Sequence, residues 1–308
     1  MQTYILDVQK MSTEDGPGIR TTVFFKGCNL NCKWCHNPES ISSSQHIFWL
    51  EDRCMGCNTC IEVCPNGAVS LQSDGIKTDN KLCDFCNKCI EECPMNALEI
   101  KGEVITVEAL VNELIKDKAY YDTSHGGVTL SGGEVVLNWQ YALELLKELK
   151  TRGVHTAIDT AGCYSYSVLE NLLPYVDLIL YDIKHIDNDK HKQLTGVENT
   201  LILENAKKLG SLEKPKIWIR TPIIPDATDS EENIIGIANF IKDNMPNIEK
   251  WELVSFNNLG KQKYKLLGRD WVYKDSPLIT KAKMQRLNDL AKQITNKVTW
   301  SGATRLEV

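Results

Sequence analysis

Several features that mark common protein classes are absent from this sequence of 308 residues. No apolar run approaches the roughly 20 residues that a membrane-spanning helix requires. The chain has no long run of lysine or arginine, and its net charge is −6. Both features argue against nucleic acid as the main partner. The six histidines lack the His-Glu-x-x-His spacing, so none is predicted to bind a metal ion. We therefore expect neither a membrane nor a nucleic acid among the partners.

Other absences narrow the location and the chemistry. Residues 1–7 (MQTYILD) lack the basic segment and apolar core of a secretory signal peptide, so the expected location is the cytoplasm. Neither a catalytic triad nor a paired-carboxylate motif stands out. With 42% hydrophobic and 25% charged residues, the composition is that of an ordinary globular protein. The length allows one large domain, or one domain with a small insert.

Cysteine, by contrast, is abundant. The chain has 12 cysteines, and all but Cys163 fall between Cys28 and Cys93. Disulfides are rare in a reducing compartment, and a disulfide scaffold would spread its cysteines through the fold. This crowding therefore indicates metal clusters. Cys163 lies outside every motif and is predicted to be a small buried side chain.

The first cysteine group has the spacing C-x3-C-x2-C and consists of Cys28, Cys32 and Cys35. A [4Fe-4S] cluster is normally held by four thiolates, so three local cysteines leave one iron without a local thiolate. An open coordination position is what a metal site needs for chemistry. A structural zinc site is the alternative, and it is disfavoured because zinc sites prefer paired C-x2-C units with a fourth local ligand.

Two further groups repeat the pattern C-x2-C-x2-C-x3-C-P, in residues 54–65 and 83–94. In two-cluster ferredoxins the fourth cysteine of each run ligates the other cluster. The pattern therefore predicts two [4Fe-4S] clusters with separate ligand sets. The first set is Cys54, Cys57, Cys60 and Cys93, and the second is Cys64, Cys83, Cys86 and Cys89. Two zinc sites are the alternative, again disfavoured by the spacing.

The remainder of the chain alternates between strand-like segments and segments with helical spacing of apolar residues. Such alternation predicts an α/β fold with parallel strands joined by crossover helices. Periodicity alone leaves open whether the sheet is doubly wound or a partial barrel, because six strands are fewer than the eight of a complete barrel. The six predicted strands are 21–26, 127–131, 154–159, 177–182, 216–222 and 251–256.

Polar residues follow three of these strands. Gly132, Gly133 and Glu134 end the second strand, where the glycines permit close backbone approach to a ligand and Glu134 could receive an ammonium group. Asp159 ends the third strand, and Asp182 to Lys184 end the fourth. Each feature alone could be a strand-end turn or a helix cap. Together they resemble a charged cradle, and Arg220 near the end of the fifth strand is a further candidate that could equally be an ion-pair partner.

The cysteine triplet lies within a longer signature. Before it stand residues 15–20 (DGPGIR) and 21–27 (TTVFFKG), and after it residues 36–40 (HNPES). This signature resembles that of the glycyl-radical-enzyme activating enzymes of the radical S-adenosylmethionine superfamily. The resemblance implies a partial (β/α)6 barrel with an inserted ferredoxin-like module that carries two [4Fe-4S] clusters. The barrel core would comprise residues 1–45 and 104–308, and the insert residues 46–103.

The resemblance also implies the cofactors and their contacts. It implies three [4Fe-4S] clusters and S-adenosylmethionine, which would complete the first cluster, and it allows a monovalent cation beside the strand-end acids. Val135 and Asn257 stand where the family usually has proline and histidine, and asparagine cannot ionise. Trp34 could instead be a core aromatic. The implied contacts to S-adenosylmethionine are Trp34, Cys35, His36, Gly132, Gly133, Glu134, Asp159, Asp182, Ile183, Lys184 and Asn257.

The implied function is that of an oxidoreductase that activates a partner glycyl radical enzyme. The first cluster would reductively cleave S-adenosylmethionine to a 5′-deoxyadenosyl radical, which abstracts a hydrogen from one glycine of the partner. No catalytic side chain beyond the cluster and cofactor is implied. The electron would come from an external donor such as flavodoxin or ferredoxin. The insert favours a dehydratase, lyase or decarboxylase as partner. The alternatives are a radical enzyme acting on a small molecule and a multi-cluster electron-transfer protein.

Overall fold

A computed structural model describes residues 2–306 of the chain. Its twelve strands are β1 (Ile5–Ser12), β2 (Arg20–Phe25), β3 (His46–Trp49), β4 (Val69–Gln72), β5 (Gly75–Thr78), β6 (Leu98–Lys101), β7 (Gly127–Gly132), β8 (Thr156–Thr160), β9 (Leu178–Asp182), β10 (Lys216–Ile223), β11 (Lys250–Ser255) and β12 (Val298–Ser301). Its α-helices are α1 (Thr59–Glu62), α2 (Lys88–Glu91), α3 (Val107–Leu114), α4 (Lys118–Ser124), α5 (Trp139–Thr151), α6 (Tyr166–Glu170), α7 (Asn188–Thr195), α8 (Thr200–Gly210), α9 (Glu231–Asn244), α10 (Lys261–Leu266) and α11 (Lys281–Lys292). Among the helices of residues 2–306, none is both long and apolar enough to cross a membrane.

A single eight-stranded sheet organises the fold. Its strand order is β1-β2-β7-β8-β9-β10-β11-β12. Within this sheet, the seven strands β2, β7, β8, β9, β10, β11 and β12 run parallel to one another. The edge strand β1 pairs antiparallel with β2. Because the parallel strands run in the same direction, their carboxyl ends meet at one edge of the sheet. This is the expected α/β fold with a central parallel sheet.

The two faces of the parallel strands differ in chemistry, because successive side chains point to opposite faces. One face is apolar and joins the helices in the large hydrophobic core, through Val128, Leu130, Ile158, Ile179, Ile219 and Leu253. Near the carboxyl ends, the other face is polar and lines a cavity, through Ser131, Asp159, Asp182 and Arg220. The alternation therefore packs the helices on one side and exposes charged groups on the other.

All six predicted strands are present, as β2, β7, β8, β9, β10 and β11, with ends that differ by up to two residues. The sheet contains two more strands, β1 and β12, that the sequence pattern did not predict. Both lie at its edges, and β1 has only two buried residues, Ile5 and Ser12. An edge strand with few buried side chains lacks the apolar run that marks a central strand. The two additions make the sheet wider than the predicted six strands.

Residues 46–103 form a small substructure beside the sheet. In it β3 pairs antiparallel with β6, so that His46 lies opposite Lys101. The chain therefore leaves and re-enters the main fold at adjacent points. A second antiparallel pair, β4 with β5, lies between these strands in sequence. The substructure has its own apolar cluster, centred on Val69, Ile76, Cys89 and Leu98.

The cysteine repeat is also a structural repeat. Helices α1 and α2 occupy equivalent places in the two runs, and each follows a left-handed asparagine, Asn58 or Asn87, with φ of 63°. After each helix an amide N–H donates to a cysteine sulfur: Ala68 to Cys64 and Ala97 to Cys93, both at 3.2 Å. The two runs therefore hold their sulfur atoms in matching local geometry.

Candidate functional site

The loop from Cys28 to Cys35 lies at the carboxyl end of β2. Its backbone is held from the side by α7, since the amides of Asn31 and Lys33 donate to the carbonyls of Thr195 (2.7 Å) and Leu194 (3.1 Å). The Trp271 indole Nε1 donates to the Lys33 carbonyl at 2.9 Å. Segments distant in sequence thus fix the loop, and neither α7 nor the Trp271 contact had been predicted.

The three thiols of this loop line one cavity of about 250 Å³. Burial raises the pKa of Cys28 and Cys32 to about 12 and that of Cys35 to about 11. The thiols therefore hold their protons at neutral pH until a metal displaces them. Within residues 2–306, no three His, Cys, Asp or Glu side chains are arranged to hold a single metal ion. A four-iron cluster differs from a single ion, because each thiolate binds its own iron.

Charged groups from three neighbouring strands meet beside these thiols. Asp159 at the end of β8 accepts a hydrogen bond from Ser131 Oγ at 2.8 Å, and Arg220 Nη1 of β10 lies 4.0 Å from the same carboxylate. Asp182 at the end of β9 pairs with the Lys184 ammonium. All five residues line a second cavity of about 560 Å³ that adjoins the first. The predicted charged cradle is thus brought together, with Ser131 as an unpredicted member.

The pKa values in this cradle reflect its burial. Burial and the neighbouring Asp182 raise the pKa of Asp159 to about 6, against the opposing effect of Arg220. Burial alone would lower the pKa of Lys184, but the charge of Asp182 and the hydrogen bond to it raise that pKa. Lys184 therefore keeps its positive charge across the physiological range. The cradle offers a fixed cation near the Asp159 carboxylate, whose charge is costly to keep.

The two glycines after β7 are required by the chain's own packing. A Cβ on Gly132 would lie 2.4 Å from the Phe25 nitrogen, and one on Gly133 would lie 2.2 Å from the Gly27 carbonyl oxygen. The predicted close approach is therefore between these glycines and the strand that carries the cysteine loop. Both glycines also line the smaller cavity.

Glu134, which follows the glycines, is fully buried and does not line either cavity. Its carboxylate accepts hydrogen bonds from Thr160 Oγ1 (2.8 Å) and from the amides of Ala161 (3.0 Å) and Val136 (3.2 Å). Burial raises its pKa to about 7 despite these donors. The structure thus engages the carboxylate with protein donors, where the sequence suggested that it would receive a ligand's ammonium group.

Trp34, His36 and Asn257 form one wall of the smaller cavity. Trp34 belongs both to the hydrophobic core and to the cavity lining, so its two interpretations are compatible. His36 Nε2 lies 2.9 Å from the backbone carbonyl of Asn257. The Asn257 side chain accepts a hydrogen bond from the Leu259 amide at 3.1 Å. Asn257 therefore closes a local turn with its side chain and meets His36 through its backbone.

Ile183, like Glu134, is a predicted contact that lines neither cavity. Its side chain is buried in the hydrophobic core and lines neither cavity. Its amide donates to the Arg220 carbonyl, and its carbonyl accepts from Thr221 Oγ1 at 2.8 Å. Strand alternation explains this, because Asp182 and Lys184 point to the cavity and the residue between them must point away.

The remaining cysteines of the repeats form two groups. One cavity of about 630 Å³ is lined by all four members of the first predicted set, Cys54, Cys57, Cys60 and Cys93. Burial, followed by Cys54, Cys93 and Cys57, raises the pKa of Cys60. The thiols that raise the pKa of Cys60 are therefore the other members of its predicted set.

The second set shows the same proximity. Burial and then the nearby Cys83 and Cys64 raise the pKa of Cys89 to about 11, with smaller contributions from Cys60 and Cys86. Cys64 comes from the other run of the repeat, as the exchange of fourth cysteines requires. Burial favours a higher pKa for Cys64, but hydrogen bonds from the amides of residues 66–69 outweigh that effect and lower the pKa. Amide donors of this kind stabilise a charged sulfur.

Comparisons with known proteins identify the family of this chain and agree with its fold. The family described as "4Fe-4S single cluster domain" matches residues 14–203. The chain is 42% identical over 276 residues to the trans-4-hydroxy-L-proline dehydratase activating enzyme of Clostridioides difficile, with 89% of each chain covered. It is 38% identical over 289 residues to the choline trimethylamine-lyase activating enzyme of Oleidesulfovibrio alaskensis, covering 92% of this chain and 93% of that enzyme.

The fold also resembles that of a solved radical SAM methyltransferase from Sphaerobacter thermophilus. The TM-score is 0.56 at 11% sequence identity, over 96% of this chain and 76% of that one. This likeness concerns the fold alone, whereas the sequence relatives extend over most of the chain. The chain therefore belongs to the glycyl-radical-enzyme activating enzymes, which are oxidoreductases of the radical S-adenosylmethionine superfamily that use a [4Fe-4S] cluster.

Proposed function

We propose that this chain activates a glycyl radical enzyme of the dehydratase, lyase or decarboxylase class, using the cavity beside the Cys28 loop. The observation that carries the proposal is the meeting of three thiols with a charged cradle in adjoining cavities. The names of the similar enzymes support the partner class. The electron would come from an external donor such as flavodoxin or ferredoxin.

Cys28, Cys32 and Cys35 would hold the cluster, since they supply three thiols to one cavity and leave one iron free. When bound, the cluster and S-adenosylmethionine together supply the 5′-deoxyadenosyl radical that takes a hydrogen from the partner's glycine. The chain's own residues position the cofactor and keep water away. The apolar side chains of Phe256 and Val254 line the cavity. An apolar lining excludes water and so limits side reactions of a reactive species.

We assign the cofactor contacts by charge. Lys184 is the fixed cation suited to a carboxylate, and the carbonyls of Gly132 and Gly133 are acceptors suited to an ammonium group. Trp34 and His36 supply the aromatic wall suited to an adenine ring. Arg220 and Ser131 hold the Asp159 carboxylate in place, so the cradle is organised before the ligand arrives. Asp159 and Asp182 would supply the carboxylate oxygens for a monovalent cation.

Residues 46–103 would form the ferredoxin-like module with two further [4Fe-4S] clusters, inserted into a core of residues 1–45 and 104–308. Two observations support this assignment. The first four cysteines line one cavity, and in the second set Cys83, Cys64 and Cys86 all raise the pKa of Cys89. Both runs also share their local backbone geometry. The module would relay electrons or dock the donor.

We further propose that the sheet curves as a partial barrel. Its helices pack in the apolar core on one face, while the other face lines the cavities with side chains from β2, β7, β8, β9, β10 and β11. A flat sheet would not bring side chains from six successive strands around common cavities. The carboxyl-end position of the site is that of α/β barrels in general.

Isotope transfer tests the proposed partner. The anaerobically reduced protein would be mixed with S-adenosylmethionine and, in turn, with glycyl radical enzymes of the three classes grown on α-deuterated glycine. We expect deuterium in the 5′-deoxyadenosine from one of them, and loss of that transfer when its radical glycine is replaced by alanine. Cleavage without deuterium from any of the three classes would contradict the proposal and favour a small-molecule substrate.

A further inference from the structure

The carboxylate of Glu39, four residues after Cys35, is buried, and its side chain is only 6% exposed. One oxygen, Oε1, lies 2.7 Å from the ammonium of Lys263 on α10. The other oxygen, Oε2, has no hydrogen-bond partner among residues 2–306. Because carboxylates are almost never fully buried without a partner, Lys263 supplies the ion pair on which the position of Glu39 depends.

The other two lysines of α10 have exposed partners. Lys261 pairs with Asp275 at 3.1 Å, and these side chains are 61% and 74% exposed. Lys265 pairs with Glu51 at 2.9 Å, and these are 67% and 65% exposed. Surface ion pairs contribute little, whereas breaking a buried pair is costly because one charge stays uncompensated. Of the three lysines, Lys263 is therefore the one whose loss should disturb its surroundings.

The segment that carries Glu39 returns to the start of the cysteine loop. The Gly27 amide donates to the Ser40 carbonyl at 2.7 Å, and the Cys28 amide donates to the Ile41 carbonyl at 3.0 Å. The residues that enter the cysteine loop are thus bonded to residues that follow it. A movement of Glu39 would therefore be transmitted to both ends of the loop.

Lys263 also holds a residue of the cavity wall. Its ammonium donates to Asn37 Oδ1 at 2.6 Å, and Asn37 lines the larger cavity. His36, which precedes Asn37, lines both cavities, and its Nε2 lies 2.9 Å from the Asn257 carbonyl. The stretch from His36 to Glu39 is thus held by two contacts from the carboxyl-terminal part of the chain.

We propose that Lys263 is a positioning residue for the S-adenosylmethionine site. By holding Asn37 and Glu39, its ammonium fixes the His36 wall relative to the cysteine loop. The inference rests on the proposed function of this cavity, in which His36 belongs to the aromatic wall. Lys263 lines neither cavity, so it acts through its neighbours. Residues that orient the ligands of a metal site typically contribute 10- to 100-fold to affinity or activity.

Anaerobic equilibrium dialysis of the reconstituted protein with labelled S-adenosylmethionine tests the inference. We expect Lys263→Met to weaken binding by about tenfold at unchanged iron content. Lys263→Arg keeps the cation and should bind as the wild type does. Lys261→Met, on the same helix, is the matched control and should also bind normally, since its partner is exposed.

A compensating change separates positioning from a direct contact with the ligand. Adding Glu39→Gln to Lys263→Met removes the uncompensated buried charge. Replacing both partners of a buried pair is often neutral, so the double variant should bind within about threefold of the wild type. A lysine that touched the ligand itself would not be replaced in this way.

Hydrogen exchange measured by mass spectrometry gives a readout that needs no ligand. In Lys263→Met, peptides from residues 27–41 should exchange faster, because the amides of Gly27 and Cys28 lose their partners when the segment moves. Wild-type affinity in Lys263→Met, no recovery on adding Glu39→Gln, or unchanged exchange would overturn the inference. A wild type that binds no S-adenosylmethionine would instead contradict the proposed function on which the inference rests.

Discussion

Replacing Lys184 by methionine isolates the cation of the proposed cofactor site. Lys184 is buried and pairs with Asp182, while Arg220 lies between Asp159 (4.0 Å) and Glu252 (3.7 Å). The substitution removes one positive charge where we place the carboxylate of S-adenosylmethionine. A hydrogen bond to a charged group contributes about 1.5–3 kcal/mol. We therefore expect S-adenosylmethionine to bind about 10- to 150-fold more weakly.

Anaerobic equilibrium dialysis with labelled S-adenosylmethionine measures this change, with iron content as a check on the cluster. Lys190→Met, on the exposed surface of α7, is the matched control and should bind normally. Lys184→Met also leaves the partly buried Asp182 without its partner, which costs about 1–3 kcal/mol of stability. Adding Asp182→Asn should restore most of that stability without restoring the affinity. Unchanged affinity in Lys184→Met at full iron content would refute the assignment.

Three further results are expected. The pKa of Glu134 rises from 4.5 to about 7 on burial, so its contribution to stability is fully present below pH 4.5 and is lost as the pH rises to about 7. The loss is about 3 kcal/mol, and unfolding of wild type and Glu134→Gln between pH 5 and 8 should differ in slope, whereas parallel slopes would argue against it. The Arg20 guanidinium is fully buried and donates to one side-chain oxygen and two carbonyls. Arg20→Met should therefore cost at least about 3 kcal/mol in urea unfolding, against less than about 1 kcal/mol for the exposed Arg152→Met. Cys89→Ala should lower iron from about twelve to about eight per chain, and Cys163→Ala should not; equal iron in both would contradict the second ligand set.

The sheet was predictable because its central strands carry their own signal. Apolar runs such as residues 177–182 are flanked by helical spacing, and that alternation specifies parallel strands. The edge strand β1 was missed because most of its side chains are at least partly exposed. Helix α7 was missed for a related reason, since its sequence NDKHKQLT offers no apolar stripe. Yet the end of α7 supplies the carbonyls that hold the cysteine loop.

The members of the site were predictable, but the direction of their side chains was only partly so. Parallel strands end at one edge, so Asp159 and Asp182 were expected to meet. The sequence grouped Ile183 with its neighbours, although strand alternation turns its side chain into the core. Glu134 illustrates another limit: its partners Thr160 and Ala161 lie at the end of a different strand, β8, and only the folded chain reveals that they donate hydrogen bonds to its carboxylate.

The most direct test of the account is reductive cleavage of S-adenosylmethionine by the reconstituted protein. The wild type, reduced under anaerobic conditions, should form 5′-deoxyadenosine, and Cys163→Ala should do the same. Cys28→Ala should form none while keeping about eight irons per chain. Cleavage by Cys28→Ala at the wild-type rate would contradict the central claim that the Cys28, Cys32 and Cys35 thiols hold the cluster that performs this chemistry.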